Sequence, residues 1–311
     1  MKMRAAAVQA APVFLDRDAT VEKACGLIEE AAGNGAGLIV FPEAFIPTYP
    51  DWVWRAPAWD DEALFGTLAD QAVVVPSATT QRLGAAARSA HAYVAMGINE
   101  REERGSTLYN TLLYFDDSGA LIGKHRKLMP TGGERLVWGM GDGSTLEVFD
   151  SPFGRLGGLI CWENYMPLAR AAMYAQGVEI WVAPTWDNSD TWVSTLRHIA
   201  KEGRCFVIGV APCQRGSDIP PEWRGHLYGG DDDWLSRGFS TIVGPEGDIL
   251  AGPILEKEEI LYAELDVAKA RASRRELDVV GHYSRPDVFT LTVDTTARSG
   301  ITSTGGSSIP H

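Results

Sequence analysis

The sequence predicts an α/β protein in which two similar halves pack their sheets face to face with helices outside, a four-layer α-β-β-α sandwich. Three observations predict it. Short apolar runs of strand character alternate with helical patterns along the chain. The same order of elements occurs twice. Two of the runs, GLIVFPE (37–43) and VEIWVAPT (178–185), also end alike, in a proline followed by a polar residue.

In the first half, RAAAVQA (4–10) reads as the opening strand and the Ala-rich pattern over 18–33 as a helix. GLIVFPE is an unbroken apolar run, which suits a strand buried on both faces. A helix follows over 79–90, then the strand AYVAMGIN (92–99). NTLLYFDDSGALIGKHRK (110–127) reads as two strands turning at Asp117-Ser118-Gly119. The second half opens on the strand RLGGLICWE (155–163), with a helix over 166–176, the strand VEIWVAPT, a helix over 189–203 and the strand CFVIGVAP (205–212). GFSTIVGPEGDILAG (238–252) closes it as a hairpin turning at Pro245-Glu246-Gly247. This match in order favours duplication of one module over chance likeness between αβ units. DIPPEWRGHLYGGDDDW (218–234) reads as a surface loop inserted before the hairpin. Past about residue 285 the pattern fades, so one domain is expected over 1–289 and a small, polar, Gly/Ser-rich flexible tail over 290–311.

A chain of 311 residues, 45% hydrophobic and 22% charged, has the makings of a soluble globular enzyme with a sizeable core. The net charge of −13 repels nucleic acid and anionic membrane, which removes both as partners. No run approaches the roughly 18 apolar residues of a membrane span. MKMRAAAVQAAPVFLD at the start carries early basic residues, but Gln9 interrupts its apolar stretch, so it reads as a strand and not a signal peptide. Cys25, Cys161, Cys205 and Cys213 have neither CxxC nor zinc-ligand spacing, which points to a reducing, cytoplasmic setting. Asp231-Asp232-Asp233 reads as a solvated turn, and neither metal nor organic cofactor is expected.

The chemistry centres on strand ends. Glu43 ends GLIVFPE, Cys161 ends an apolar strand, and Lys127 follows the second hairpin strand. In a duplicated fold the ends of equivalent strands meet at one edge of the sandwich. A thiol there needs a base or a cation beside it, because a free cysteine is mostly protonated at neutral pH. A carboxylate could serve as general base and acid, and an ammonium could stabilise charge on the attacked atom. Taken singly, each has an ordinary explanation: a packed core thiol, an acid at a helix N-terminus, one member of the solvated cluster Lys124-His125-Arg126-Lys127. Their joint placement is what points to a site.

Four stretches resemble the nitrilase branch of the carbon–nitrogen hydrolase superfamily: VFPEAFIPTYP (40–50), GKHRKLMPTGGERLVWGMGDGS (123–144), GGLICWENYMPLAR (157–170) and GHYSRPDVF (281–289). The resemblance implies a Glu43–Lys127–Cys161 triad, with Glu134 as a second glutamate that positions the lysine and assists proton transfer. It implies the same α-β-β-α sandwich, no cofactor, and a homodimer or higher homo-oligomer, although the short tail departs from relatives that form long spirals. Cys161 would attack a nitrile carbon, with the backbone N–H of Trp162 and Lys127 stabilising the developing charge, on the way to a carboxylic acid and ammonia. The CWEN motif favours small-molecule nitriles over the amides or carbamoyl compounds of sister branches. A catalytically silent scaffold and a thiol acyltransferase are the other readings, and both predict little ammonia from nitriles. By position, Tyr49, Trp52, Trp138 and Trp186 are expected to wall the substrate pocket, or else to pack a subunit interface. Glu163 suits either a structural acid or a residue that shapes the site.

Overall fold

The structure, a computed structural model, describes residues 2–57, 59–224 and 230–298. The expected loop over 218–234 lies partly outside them, and so does most of the expected tail; residues 290–298 carry no helix or strand.

The chain runs β1 (Lys2–Gln9), α1 (Arg17–Gly33), β2 (Leu38–Val40), α2 (Glu62–Gln71), α3 (Ala78–Ala90), β3 (Tyr93–Arg101), β4 (Leu108–Phe115) and β5 (Leu121–Arg126). It continues with β6 (Phe149–Ser151), β7 (Gly154–Gly158), α4 (Pro167–Ala175), β8 (Ile180–Pro184), α5 (Asp190–Gly203), β9 (Phe206–Val210) and β10 (Cys213–Arg215). The short turn α6 (Pro221–Arg224), β11 (Trp234–Val243), β12 (Ile249–Leu255), β13 (Glu259–Asp266) and α7 (Val267–Ser273) complete it.

Each expected strand and helix is present, and the two sheets share one plan. The first is ordered β13-β1-β2-β3-β4-β5, the second β10-β11-β9-β8-β7-β6 with β12 also paired to β11. In both, three strands run parallel (β1, β2, β3; β7, β8, β9) and continue into antiparallel partners (β4, β5; β11, β12). In both, an antiparallel edge strand flanks the other side, β13 beside β1 and β6 beside β7. The edge strands β6, β10 and β13 and helix α2 were not apparent from the sequence.

Side-chain alternation sorts each strand between two cores. Ala5, Ala7, Leu38 and Val40 face inward to meet Ile180, Val182, Phe206 and Ile208 of the opposite sheet. The intervening Ala6, Val8 and Ile39 pack outward on α1 and α3, through Val21, Ile28 and Leu83. Trp181, Ala183 and Val207 do the same against Leu196 and Ile199 of α5. The strands read as continuous apolar runs because neither face meets water. Three stacked cores over two sheets make the four layers.

Two strand ends differ from expectation. β2 stops at Val40, and residues 41–46 leave the sheet while still tied to β3: Phe41 N–H donates to Ala95 O at 2.9 Å and Ile46 N–H to Gly97 O at 3.2 Å. β7 stops at Gly158, so Cys161 does not end a strand. It opens a single 3-10 turn, Cys161–Tyr165, with φ of +52°. The apolar run that suggested a longer strand is apolar because Leu159 and Ile160 are both buried.

Gly97 makes the first departure possible, since a Cβ there would overlap the Pro42 carbonyl and press on Ala44 N. We expect Gly97→Ala to destabilise the fold by about 1–3 kcal/mol, the usual overpacking cost. By displacing Glu43 it should also lower activity more than the unfolded fraction explains. Urea denaturation beside specific activity checks both; full activity in the folded variant would separate Gly97 from Glu43 placement.

Candidate active site

The residues singled out in the sequence meet where β2, β5, β7 and β8 end. Lys127 follows directly on β5 and is anchored by its own N–H to Asn110 O at 2.8 Å. Its Nζ donates to Glu43 Oε1 and to Glu134 Oε2, both at 2.7 Å, and all three side chains are buried. Burial works against a charged lysine, but the charges of Glu43 and Glu134 reverse that and hold the ammonium far above its ordinary pKa.

Each carboxylate oxygen is occupied. Glu43 Oε1 also accepts from Asn110 Nδ2 at 2.7 Å, and Oε2 accepts from the backbone N–H of Trp186 at 2.8 Å, across the boundary between the halves. Glu134 Oε2 also accepts from Thr131 N–H at 2.6 Å, and Oε1 from the Tyr49 hydroxyl at 2.6 Å. The pKa of Glu43 is raised, first by burial and then by Glu134, against the pull of Lys127. The turn that carries Glu43 is gripped by buried Asn99, whose Nδ2 donates to Thr48 O at 2.8 Å and Ile46 O at 3.2 Å. Sequence reasoning missed Asn99, Asn110 and Thr131, whose polar character on or beside buried strands was the available signal.

Cys161 sits across from this cluster, its Sγ accepting from the Thr185 hydroxyl at 3.1 Å. Burial and the Glu43 charge push its thiol well up, only partly countered by Lys127. Ionising this sulfur calls for a base beside it to take the proton. The Cys161 turn is fixed by Asn164, whose Nδ2 donates to Leu159 O and Cys161 O at 2.8 Å each while Oδ1 accepts from Trp181 Nε1.

Glu163 resolves into a clamp. Its Oε2 accepts from Ile160 N–H at 2.8 Å and its Oε1 from Leu128 N–H at 2.6 Å, which ties the segment after Lys127 to the one before Cys161. His125 Nε2 lies 3.0 Å from Oε2, and its Nδ1 3.1 Å from Thr145 O. Both ring nitrogens face acceptors, an arrangement that suits the imidazolium.

A cavity of about 300 Å³ opens on Cys161, walled by Tyr49, Trp54, Trp162 and Trp186, with Glu134, Thr131 and the Asp187–Ser189 loop. Tyr49 stacks on Trp186 with ring centres 4.4 Å apart. Trp162 puts its side chain on this wall, half exposed, with Nε1 donating to Asp187 Oδ2 at 2.9 Å. Two expected wall residues stand elsewhere. Trp52 is fully buried, with Nε1 on Asp61 Oδ2 at 3.2 Å and Phe14 against its ring. Trp138 lies behind the wall, edge-on to Tyr49, its Nε1 on Asn99 Oδ1 at 2.9 Å and its ring 5.8 Å from Lys127 Nζ. Trp54, two residues past Trp52 on one short 3-10 turn, takes the place expected of Trp52.

Comparison with known proteins gives the chain a family. Residues 4–275 match the carbon-nitrogen hydrolase family model. The chain belongs to the carbon-nitrogen hydrolase family. An aliphatic nitrilase of Sinorhizobium fredii is 48% identical over 307 residues, covering 96% of this chain and 98% of that one. A bifunctional nitrilase/nitrile hydratase of Nicotiana tabacum is 44% identical, covering 98% and 90%. These likenesses put the chain in the nitrilase branch. Among solved structures, a member of the nitrilase superfamily from Saccharomyces cerevisiae superposes with a TM-score of 0.73 at 24% identity, over 91% of this chain and 96% of that one, which shows the shared sandwich fold.

The His125–Glu163 pair carries a pH signature. Burial lowers the imidazole pKa, but the Glu163 charge and the bonds to Glu163 and Thr145 outweigh it, so the folded value lies above 6.5. The folded state thus holds this proton more tightly than the unfolded chain. The resulting stability is complete below pH 6.5 and is lost as pH rises through the folded value. His125→Gln should flatten that limb of the curve of denaturation midpoint against pH; an unchanged slope would mean the imidazole is neutral throughout.

Proposed function

We propose that the protein hydrolyses small organic nitriles to the carboxylic acid and ammonia, with Cys161 as nucleophile, Glu43 as general base and acid, and Lys127 as the fixed positive charge. The observation that carries the reading is a buried Glu43–Lys127–Glu134 cluster beside a thiol that faces an aromatic-walled cavity. The family and the nitrilases among its relatives support the same substrate class.

Glu43 removes the Sγ proton while the sulfur bonds to the nitrile carbon and one C–N π bond opens. Its raised pKa suits it to hold that proton and pass it to the nitrogen, which gives a planar thioimidate. A water gives one proton to Glu43 and adds to this carbon, forming a tetrahedral centre. Glu43 returns that proton to nitrogen and then relays the hydroxyl proton to it, so the C–N bond breaks, ammonia leaves and the carbonyl of a thioester forms. A second water, activated in the same way, releases the acid and restores the thiol. Lys127 stays charged throughout, as Glu43 and Glu134 hold it, and with the Trp162 backbone N–H it stabilises the negative charge of each addition. Glu134 fixes the lysine. If sulfur leaves the tetrahedral centre before ammonia, the amide is released instead.

A cavity of about 300 Å³ is at the small end for ligand sites, and its Trp and Tyr walls suit an apolar nitrile substituent. The four free cysteines support a reducing, cytoplasmic setting. Tyr165, 43% exposed at the end of the Cys161 turn, and Leu168, 69% exposed in the first turn of α4, support a homo-oligomer. Light scattering should give a mass at least twice the 33.7 kDa of one chain, and a monomer at micromolar concentration would remove that part of the reading.

Ammonia release from a panel of aliphatic, aromatic and arylacetonitriles, each beside its amide, tests the reaction. The expected result is ammonia from nitriles and none from Cys161→Ala with its fold intact. Turnover of amides alone would move the protein to an amidase, and turnover by Cys161→Ala would remove the nucleophile assignment.

A further inference from the structure

Thr185 is the residue after β8, with its backbone N–H on Val210 O at 2.9 Å and its side chain fully buried. Its hydroxyl lies between two partners. On one side it accepts from the backbone N–H of Asp187 at 2.9 Å; on the other it meets Cys161 Sγ at 3.1 Å. An N–H can only donate, so the hydroxyl accepts from Asp187 through one of its two lone pairs, and Sγ is the acceptor that its proton meets. The arrangement closes on itself. Cys161 is bonded to Trp162, the Trp162 indole holds the Asp187 carboxylate at 2.9 Å, and Asp187 N–H sets the hydroxyl that returns to Cys161. The sulfur and the donor aimed at it are thus fixed together before substrate enters.

We infer that Thr185 is a further catalytic residue, whose hydroxyl donates to Cys161 Sγ and stabilises the thiolate as Glu43 takes its proton. A hydrogen bond to a neutral sulfur is weak, and the same bond to a thiolate is charge-assisted and stronger. The hydroxyl therefore favours the reacting state over the resting one. It also leaves the S–H proton directed elsewhere than at Thr185, free to pass to Glu43. The bond strengthens again when the tetrahedral centre formed by water on the thioester expels sulfur, so the first and last steps of the cycle both depend on it. The sulfur otherwise stands in a site where burial and Glu43 both oppose its ionisation. Lys127 alone has to offset them if Thr185 is silent.

The role in turnover rests on the nitrile reading, but the test need not. Thr185→Val keeps the shape and removes the donor; Thr185→Ser keeps the donor. Alkylation of Cys161 by neutral iodoacetamide, followed by mass spectrometry across pH 7–9, reports thiolate directly. We expect Thr185→Val to slow alkylation and nitrile turnover by roughly tenfold to a hundredfold, the range of a lost hydrogen bond to a charged group. Thr185→Ser should stay within about threefold of the parent. Melting temperatures of all three verify the fold, and Thr185→Ala replaces the valine variant if that one does not fold. Alkylation of Thr185→Val within twofold of the parent, or a serine variant as slow as valine, would overturn the inference. A parent that alkylates but releases no ammonia from any nitrile would overturn the proposed reaction and leave the alkylation comparison to decide Thr185.

Discussion

Lys127 is sealed from water, and an ion so placed loses several kcal/mol of hydration even after its surroundings relax. Two carboxylates offset that loss, and they in turn must be satisfied, because half-paired buried charge is worse than none. Much of the local architecture follows from this requirement. Asn110, Thr131, Tyr49 and the Trp186 backbone are each placed to supply one donor to Glu43 or Glu134. Three side chains carrying one positive and two negative charges leave the cluster net negative. Burial first, and then the Glu43 charge, push the Cys161 thiol up.

The two halves contribute unequally to a symmetrical frame. Glu43, Lys127 and Glu134 all come from the first half, and Cys161 and Thr185 from the second. The strand ends that carry Glu43 and Thr185-Trp186 are counterparts, following β2 and β8, yet one delivers an acid and the other a hydroxyl and an amide N–H. What registers the halves is polar and short-range. Trp186 N–H reaches Glu43, and Glu163 bridges the backbone on either side of the boundary. Apolar packing between the sheets supplies affinity, but these directional bonds set where sulfur and carboxylate meet.

Strand and helix positions were legible in the sequence because burial on both faces leaves an unbroken apolar signature that Leu38–Val40 and Ile180–Pro184 share. The convergence of Glu43, Lys127, Glu134 and Cys161 was legible from duplicated order together with motif likeness. The residues that hold them were not. Asn99, Asn110 and Thr185 act on partners far along the chain, and an isolated polar residue beside a strand gives no hint of which way it points. Cys161 read as a strand end because hydropathy cannot distinguish extended backbone from a buried left-handed turn. Trp52 and Trp54 look interchangeable in sequence, but on a tight turn residues two apart face different ways, one to Phe14 and one to the cavity.

The first sheet is completed by β13, which pairs with β1 from Lys2 opposite Asp266 to Gln9 opposite Glu259. β1 therefore leaves the ribosome well before its outer partner, with about 250 residues between Gln9 and Glu259. At about 5–20 residues per second, those residues take on the order of tens of seconds to synthesise. Throughout that time one edge of β1, whose middle is three alanines, offers unpaired backbone groups to any neighbouring strand. The nascent chain is most open to mispairing while its first half has formed and β13 is unmade. That open edge lies at the opposite side of the sheet from β5 and the lysine that follows it.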